Sequence, residues 1–257
     1  MTELLYLKDS YAKEFEATIV SVEGKFIILD KTLFYPQSGG QPTDIGTIKL
    51  LEAVEDCDCE STDGATDIRV VFAKKMGGNV SHELETEDHG LKQGDLIKGI
   101  IDWDTRYLHM RYHTACHLLS TIVHNATGAL ITGNQIGVLK SRVDFDLENF
   151  DREQIKSYEE KTNELITREL DVKCRELPRE EAFQIPSVLK LKNVLPPSIE
   201  IIRIVDVSSS IDRGNSVDIQ ACGGTHIKNT KEIGLIEIIK AENKGKNNRR
   251  IVFKLKD

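Results

Sequence analysis

Two histidines one helical turn apart, His113 and His117, stand in the segment RYHTACHLLS, and a cysteine and a histidine, Cys222 and His226, stand at the same spacing in ACGGTH. Around the first pair, Leu108, Ala115, Leu118, Leu119 and Ile122 recur at helical spacing, which puts both imidazoles on one face of a helix. In the second pair two glycines let the backbone fold tightly enough to bring a thiolate and an imidazole round to one point. Three imidazoles and a thiolate are a nitrogen and sulfur donor set suited to zinc, and we expect one Zn2+ per chain on His113, His117, Cys222 and His226. Thr114 stands where an HExxH protease carries its glutamate, so the zincin reading is excluded. Four protein ligands close a tetrahedral shell, as in structural zinc sites, whereas a catalytic site keeps a place for water. The residue types leave both readings open.

The elements that must hold these residues fall into two halves. Residues 1–101 are expected to form a small antiparallel β-barrel-like domain. Phe15–Val22 and Lys25–Leu29 are short apolar runs parted by the turn Glu23-Gly24, and Gly46–Leu51, Asp67–Phe72 and Leu96–Asp102 continue the pattern. An acidic stretch (Glu55–Asp67) and a Gly77–Asn79 turn lie between them. Residues 102–257 are expected to form an α+β zinc-binding domain, so the fold class is α+β. Tyr107–His124 reads as the metal helix, stopped by Thr127-Gly128. Val138–Phe145 reads as a strand, and Asp151–Leu170 as a charged helix with Asp151 as its N-cap. A Pro-punctuated loop (Leu177–Pro197) precedes strands at Ile199–Val205, Val217–Ala221, Gly234–Ile239 and Arg250–Lys254.

The bulk properties exclude other classes. No apolar run is long enough to span a bilayer, and the opening MTELLYLKDSYAKEFEA lacks the plan of a signal peptide, so a cytoplasmic protein with no membrane partner is expected. Five cysteines, an odd number in such a compartment, favour metal or catalytic use over disulfides. A formal net charge of -8 argues against a general nucleic-acid coat, although a local basic patch can still bind tRNA. Cys57 and Cys59 sit among acidic residues and read as an exposed loop.

RYHTACHLLS, ACGGTH and NKGKNNRRI, in that order, resemble the editing domain of alanyl-tRNA synthetase and are similar to the second domain of threonyl-tRNA synthetase. FYPQSGGQPTDIG (Phe34–Gly46) resembles the glycine-rich motif that joins the synthetase body to its editing domain. With no room for an aminoacylation domain, and an end about one strand after NKGKNNRRI, the chain resembles the free-standing AlaX family of the medium-length type. The resemblance implies a trans-editing hydrolase, an aminoacyl-tRNA deacylase that cleaves the ester of Ser-tRNA(Ala), and in some members Gly-tRNA(Ala). It implies tRNA(Ala) mischarged with serine or glycine as partner, and it carries the zinc ligands over to His113, His117, Cys222 and His226. The zinc either lowers a bound water's pKa towards ~7 or anchors the substrate's α-amino group, and four available ligands favour anchoring.

Further expectations attach to this resemblance. Gly39, Gly40, Gln41 and Pro42 are either a plain turn or a loop over the editing pocket that excludes correct Ala-tRNA, and the resemblance favours the second. Rejecting alanine needs polar groups that only a serine hydroxyl satisfies, and Thr132 and Gln135 in LITGNQIG are the candidates, Thr132 foremost. Gln220 stands where the family pattern often has Glu, which removes a carboxylate base there, while Asp218 on the same strand face is either a partner of a metal ligand or a solvated residue. Lys244, Lys246, Arg249 and Arg250, in a basic loop with Gly245, are expected to meet tRNA phosphates. The reading from another class is a non-catalytic tRNA-binding module with a structural zinc.

Overall fold

Alternating apolar residues build the first hundred residues into strands that close on one another. The computed structural model describes residues 1–51, 67–185, 188, 190, 199–209 and 216–256, so Cys57, Cys59, nearly all of the acidic stretch and much of the Pro-punctuated loop lie outside the described residues. The described part is a mixed α/β structure made mostly of strands. It divides into two units, one comprising Met1–Ser38 and Pro42–Tyr107, the other Gly39–Gln41 and Leu108–Asp257.

In the first unit, β1 (Glu14–Glu23), β2 (Phe26–Leu29), β3 (Gly46–Leu50), β4 (Ile68–Met76), β5 (Asn79–Leu84) and β6 (Leu96–Ile101) form an antiparallel ring in the order β1-β2-β5-β4-β3-β6. It closes because β6 pairs with β1 on one side and β3 on the other. Ile19, Ile27, Leu29, Ile48, Val70, Leu84 and Ile97 fill its core. β5 escapes sequence analysis because the run VSHEL buries a histidine: His82 is fully buried and hydrogen-bonded to Thr32 Oγ1 at 2.8 Å. The segment carrying the glycine-rich motif is tied down by a buried ion pair. Arg106 places its guanidinium on the Asp44 carboxylate and on the Leu33 carbonyl, and Asp44 also accepts the Tyr35 N–H at 2.7 Å. Two charges this deeply buried persist only because each is paired and hydrogen-bonded.

The second unit is built on α1 (Trp103–Thr127), whose first five residues are counted with the first unit. The helix starts four residues earlier than the apolar spacing from Tyr107 suggests. Asp102 caps it, its carboxylate accepting the Thr105 N–H at 3.0 Å. Two antiparallel sheets follow. β7 (Ile131–Gln135), β8 (Ser141–Phe145), β12 (Leu235–Asn243) and β13 (Arg249–Lys256) lie in the order β12-β13-β8-β7, and β9 (Asp171–Pro178), β10 (Ile201–Ser208) and β11 (Ser216–Ala221) lie in the order β9-β10-β11. α2 (Arg152–Thr167) begins at a capping box in which Asp151 accepts the Gln154 N–H and Gln154 answers with its own side chain. Within LITGNQIG, residues Ile131–Gln135 form strand β7, and β8 starts at Ser141 rather than at the expected Val138. β9 has no counterpart among the strands expected from sequence, since this edge strand buries only Val172.

Candidate metal centre

From Tyr112 to Thr121 every residue of α1 is buried, the polar His113, Thr114, His117, Ser120 and Thr121 among them. Buried polar groups need partners, and the positions of these partners define the site. His113, His117, Cys222 and His226 offer four ligand atoms that lie within 4.8 Å of one another. Cys222 Sγ is 3.4 Å from His113 Nε2 and 3.4 Å from His226 Nε2. A zinc ion with Zn–S of about 2.3 Å and Zn–N of about 2.0 Å holds neighbouring tetrahedral donors about 3.5 Å apart, so the donor set and its spacing fit the ion.

Each imidazole is held from behind through its Nδ1, which leaves its Nε2 for the centre. His113 Nδ1 meets Gln41 Oε1 at 2.8 Å, His117 Nδ1 meets Asp218 Oδ2 at 3.2 Å, and His226 Nδ1 meets Thr114 Oγ1 at 3.0 Å. Such outer partners orient metal-ligating histidines and fix which nitrogen carries the proton. The loop between Cys222 and His226 is drawn tight against His113. A Cβ on Gly224 would overlap the His113 ring and lie 2.9 Å from Gln41 Oε1, so only glycine allows this approach. Arg203 on β10 completes the loop, its Nη1 donating to the carbonyls of Cys222 and Gly224 at 2.8 and 2.9 Å.

The electrostatics follow from burial and these contacts. Burial opposes ionisation of Cys222, but the charges of His113 and His226 and hydrogen bonds from His113 and His117 reverse it, holding the thiol well below the usual range. Burial likewise opposes a charged His117, yet the hydrogen bond to Asp218 and the neighbouring Cys222 raise it to about 9. His226 is pushed down to about 3 by burial and by the charge of His113. Asp218 stays ionised despite burial because His117 and Lys190 surround it. Lys190 is 3% exposed, donates to Asp218, and reaches Thr121 Oγ1 at 2.7 Å. Lys190 and Thr121 carried no recognisable signal in the sequence.

The remaining residues singled out by sequence divide. Gln41 is fully buried within the second unit and reaches the centre, and Gly40 follows it inward, since a Cβ there would overlap the Asn134 side chain and lie 2.8 Å from the Asn134 carbonyl oxygen. Gly39 borders open space, and Pro42 is counted with the first unit. Gln220 turns its amide onto the Asp218 carboxylate at 3.0 and 3.1 Å. Thr132 Oγ1 donates to Asn248 Oδ1 at 3.2 Å, whereas Gln135 is exposed and accepts from Arg142 at 3.1 Å. In the basic loop, Arg250 forks onto Asp144 (2.7 and 2.9 Å), and Arg249 donates to Asn243 and to the Gly245 carbonyl. Lys244 pairs with Glu242, and Lys246 is exposed.

Comparison with known proteins places this geometry. A family described as "Threonyl and Alanyl tRNA synthetase second additional domain" matches residues 201–252, and one described as "tRNA synthetases class II (A)" matches residues 3–105. The chain is 46% identical over 261 residues to "Alanyl-tRNA editing protein AlaX-M" of Methanosarcina barkeri and 40% identical over 257 residues to the protein of that name from Saccharolobus solfataricus, with 100% of both chains covered in each case. It is also 32% identical over 244 residues to "Alanine--tRNA ligase" of Methanococcus maripaludis, covering 94% of this chain and 24% of the ligase. Among the described residues, no helix is long and apolar enough to cross a membrane. Identity that runs from one end of these relatives to the other, together with the convergence of both ligand pairs, identifies the chain as a member of the AlaX-M family of alanyl-tRNA editing proteins.

Proposed function

We propose that this protein is an aminoacyl-tRNA deacylase that edits in trans in the cytoplasm, hydrolysing the ester that joins serine to tRNA(Ala), with Gly-tRNA(Ala) as the candidate second substrate. The observation that carries the reading is the convergence of His113, His117, Cys222 and His226, each histidine locked from behind through Nδ1, in a chain whose full-length relatives are named as alanyl-tRNA editing proteins. These four residues would hold one zinc. Zinc bound there supplies Lewis acidity, either towards a water or towards the substrate's α-amino group.

The chain's own groups do the rest. Asp218 keeps His117 turned towards the centre, and Gln220, committed to Asp218, is not a base. Thr132 is the group that senses the serine hydroxyl, Gly39 and Gly40 shape the loop beside it to exclude alanine, and the exposed lysines of the 243–248 loop hold the acceptor-stem phosphates. The competing reading, a tRNA-binding module with a structural zinc, predicts binding without turnover.

The test is direct. Purified protein is incubated with labelled Ser-, Gly- and Ala-tRNA(Ala), with and without chelator, alongside metal analysis. Expected are one zinc per chain, rapid loss of serine, slow or no loss of alanine, and abolition by chelator and by Cys222→Ala. Intact Ser-tRNA(Ala) in the presence of zinc-loaded, tRNA-binding protein would favour the binding module.

A further inference from the structure

Gln41 lies far from the centre in sequence, 72 residues before His113 and 184 before Thr225, yet its fully buried carboxamide touches a ligand of the first pair and the loop that carries the second. The orientation of that amide is not arbitrary. The Thr225 backbone N–H points at one of its terminal atoms at 3.1 Å. A backbone N–H can only donate, so the atom facing it is the oxygen, Oε1, and the other is the nitrogen, Nε2. Nε2 in turn donates to Thr225 Oγ1 at 2.8 Å. The same Oε1 stands 2.8 Å from His113 Nδ1, and since a carbonyl oxygen can only accept, His113 must carry its proton on Nδ1. In the neutral ring, the form in which an imidazole ligates a metal, a proton on Nδ1 leaves the Nε2 lone pair facing the centre, where Cys222 Sγ lies 3.4 Å away.

We propose that Gln41 is the positioning residue that sets the tautomer of His113 and ties the HxxxH helix to the CGGTH loop, so that the two ligand pairs form one site. Resting on the metal reading above, the inference gives the glycine-rich segment a role in metal holding rather than only in excluding alanine. Three hydrogen bonds from one amide do this work: one fixes a ligand and two fix the backbone and side chain of Thr225, the residue before His226. The neighbouring backbone explains why glycine precedes it. Gly40 passes close against Asn134, and its carbonyl accepts the Ile136 N–H at 2.8 Å, which anchors the segment that delivers Gln41.

The experiment measures zinc affinity of the full chain by competition with a chromophoric chelator, for wild type, Gln41→Glu, Gln41→Asn and Gln41→Met, with thermal melts alongside. Loss of an outer partner of a metal-bound histidine commonly costs 10–100-fold in affinity, and Gln41→Met, which removes the acceptor at nearly constant volume, is expected to weaken zinc by about that factor. Gln41→Glu keeps an acceptor oxygen for His113 and is expected to stay within about threefold of wild type, a rescue that a purely space-filling role would not give. Gln41→Asn withdraws the amide by one methylene and is expected to fall between the two, which keeps the test decisive if the methionine variant does not fold. Wild-type affinity in the Met or Asn variant, or a loss in the Glu variant as large as in the Met variant, would overturn the role of Gln41 while leaving the metal site intact. A wild-type chain that binds no zinc would overturn the metal reading and this inference with it.

Discussion

His117 and Asp218 are 101 residues apart in sequence, and His117 Nδ1 lies 3.2 Å from Asp218 Oδ2. The carboxylate that orients the histidine is itself held by Thr121 Oγ1 at 2.6 Å, by Lys190 and by Gln220, so a single buried carboxylate serves four side chains.

A first prediction separates its two duties. Asp218→Asn should weaken zinc binding by about 10–100-fold, because the charge that orients His117 is gone. It should also lower stability, because the Lys190 ammonium is left buried without a counter-charge. Adding Lys190→Met should recover much of the melting temperature and none of the metal affinity. Chelator competition and thermal melts on the three proteins decide this, and an Asp218→Asn protein that binds zinc like wild type would refute it.

The proposal that Thr132 senses serine can be tested against Gln135, whose amide is turned onto Arg142 at an exposed position. Thr132→Val is expected to slow Ser-tRNA(Ala) hydrolysis about tenfold to a hundredfold and to leave Gly-tRNA(Ala) hydrolysis nearly unchanged, since glycine has no hydroxyl to lose. Gln135→Leu is expected to leave both rates alone. Equal losses on both substrates in the Thr132 variant would place serine recognition elsewhere.

The phosphate contacts proposed for the 243–248 loop are tested by the salt dependence of tRNA binding. Lys246 is exposed and Lys244 only loosely paired with Glu242, whereas Arg250 is already forked onto Asp144. Lys244→Ala with Lys246→Ala should therefore reduce the slope of log affinity against log salt by about 1–2 for tRNA, with an unchanged melting temperature. Arg250→Ala should instead lower the melting temperature, because Asp144 loses its bidentate partner. A salt slope unaffected by the double lysine change would return this loop to bulk solvent.

Inside the ring, His82 supplies a pH dependence of stability that is independent of the metal centre. Burial lowers it from 6.5 to about 4, and its hydrogen bond to the Ile27 carbonyl only partly offsets this. The unfolded chain takes up a proton near pH 6.5 that the folded chain refuses until about pH 4. Its contribution to stability is thus complete above the first value and lost as pH falls towards the second. Between pH 7 and pH 5 this amounts to about 2 kcal/mol. Urea unfolding of wild type and His82→Gln across that range should show the wild type losing that much more than the variant. Parallel curves would show that His82 is already charged in the fold.

What the sequence could reveal was whatever depends on near neighbours. The i, i+4 spacing of His113 and His117 and of Cys222 and His226 is local geometry, as is the Asp151 cap with Gln154, and all of these are legible from a few adjacent residues. Alternation exposes β1 and β6, because one side of each faces the core of the ring. β9 escapes the same reading, since an edge strand with a single buried residue has no need to alternate.

Only the tertiary structure decided how these pieces are used. That Gln41 and Asp218 stand behind two different histidines depends on pairings 72 and 101 residues long, which no spacing rule encodes. That Lys190 neutralises a buried carboxylate, and that Arg250 serves Asp144, follows from packing and from the register that sets Asp144 opposite Arg250. The physical reason is the same in each case. A polar group taken out of water must find a partner, and which partner it finds is determined by the elements that fold against it rather than by its neighbours along the chain.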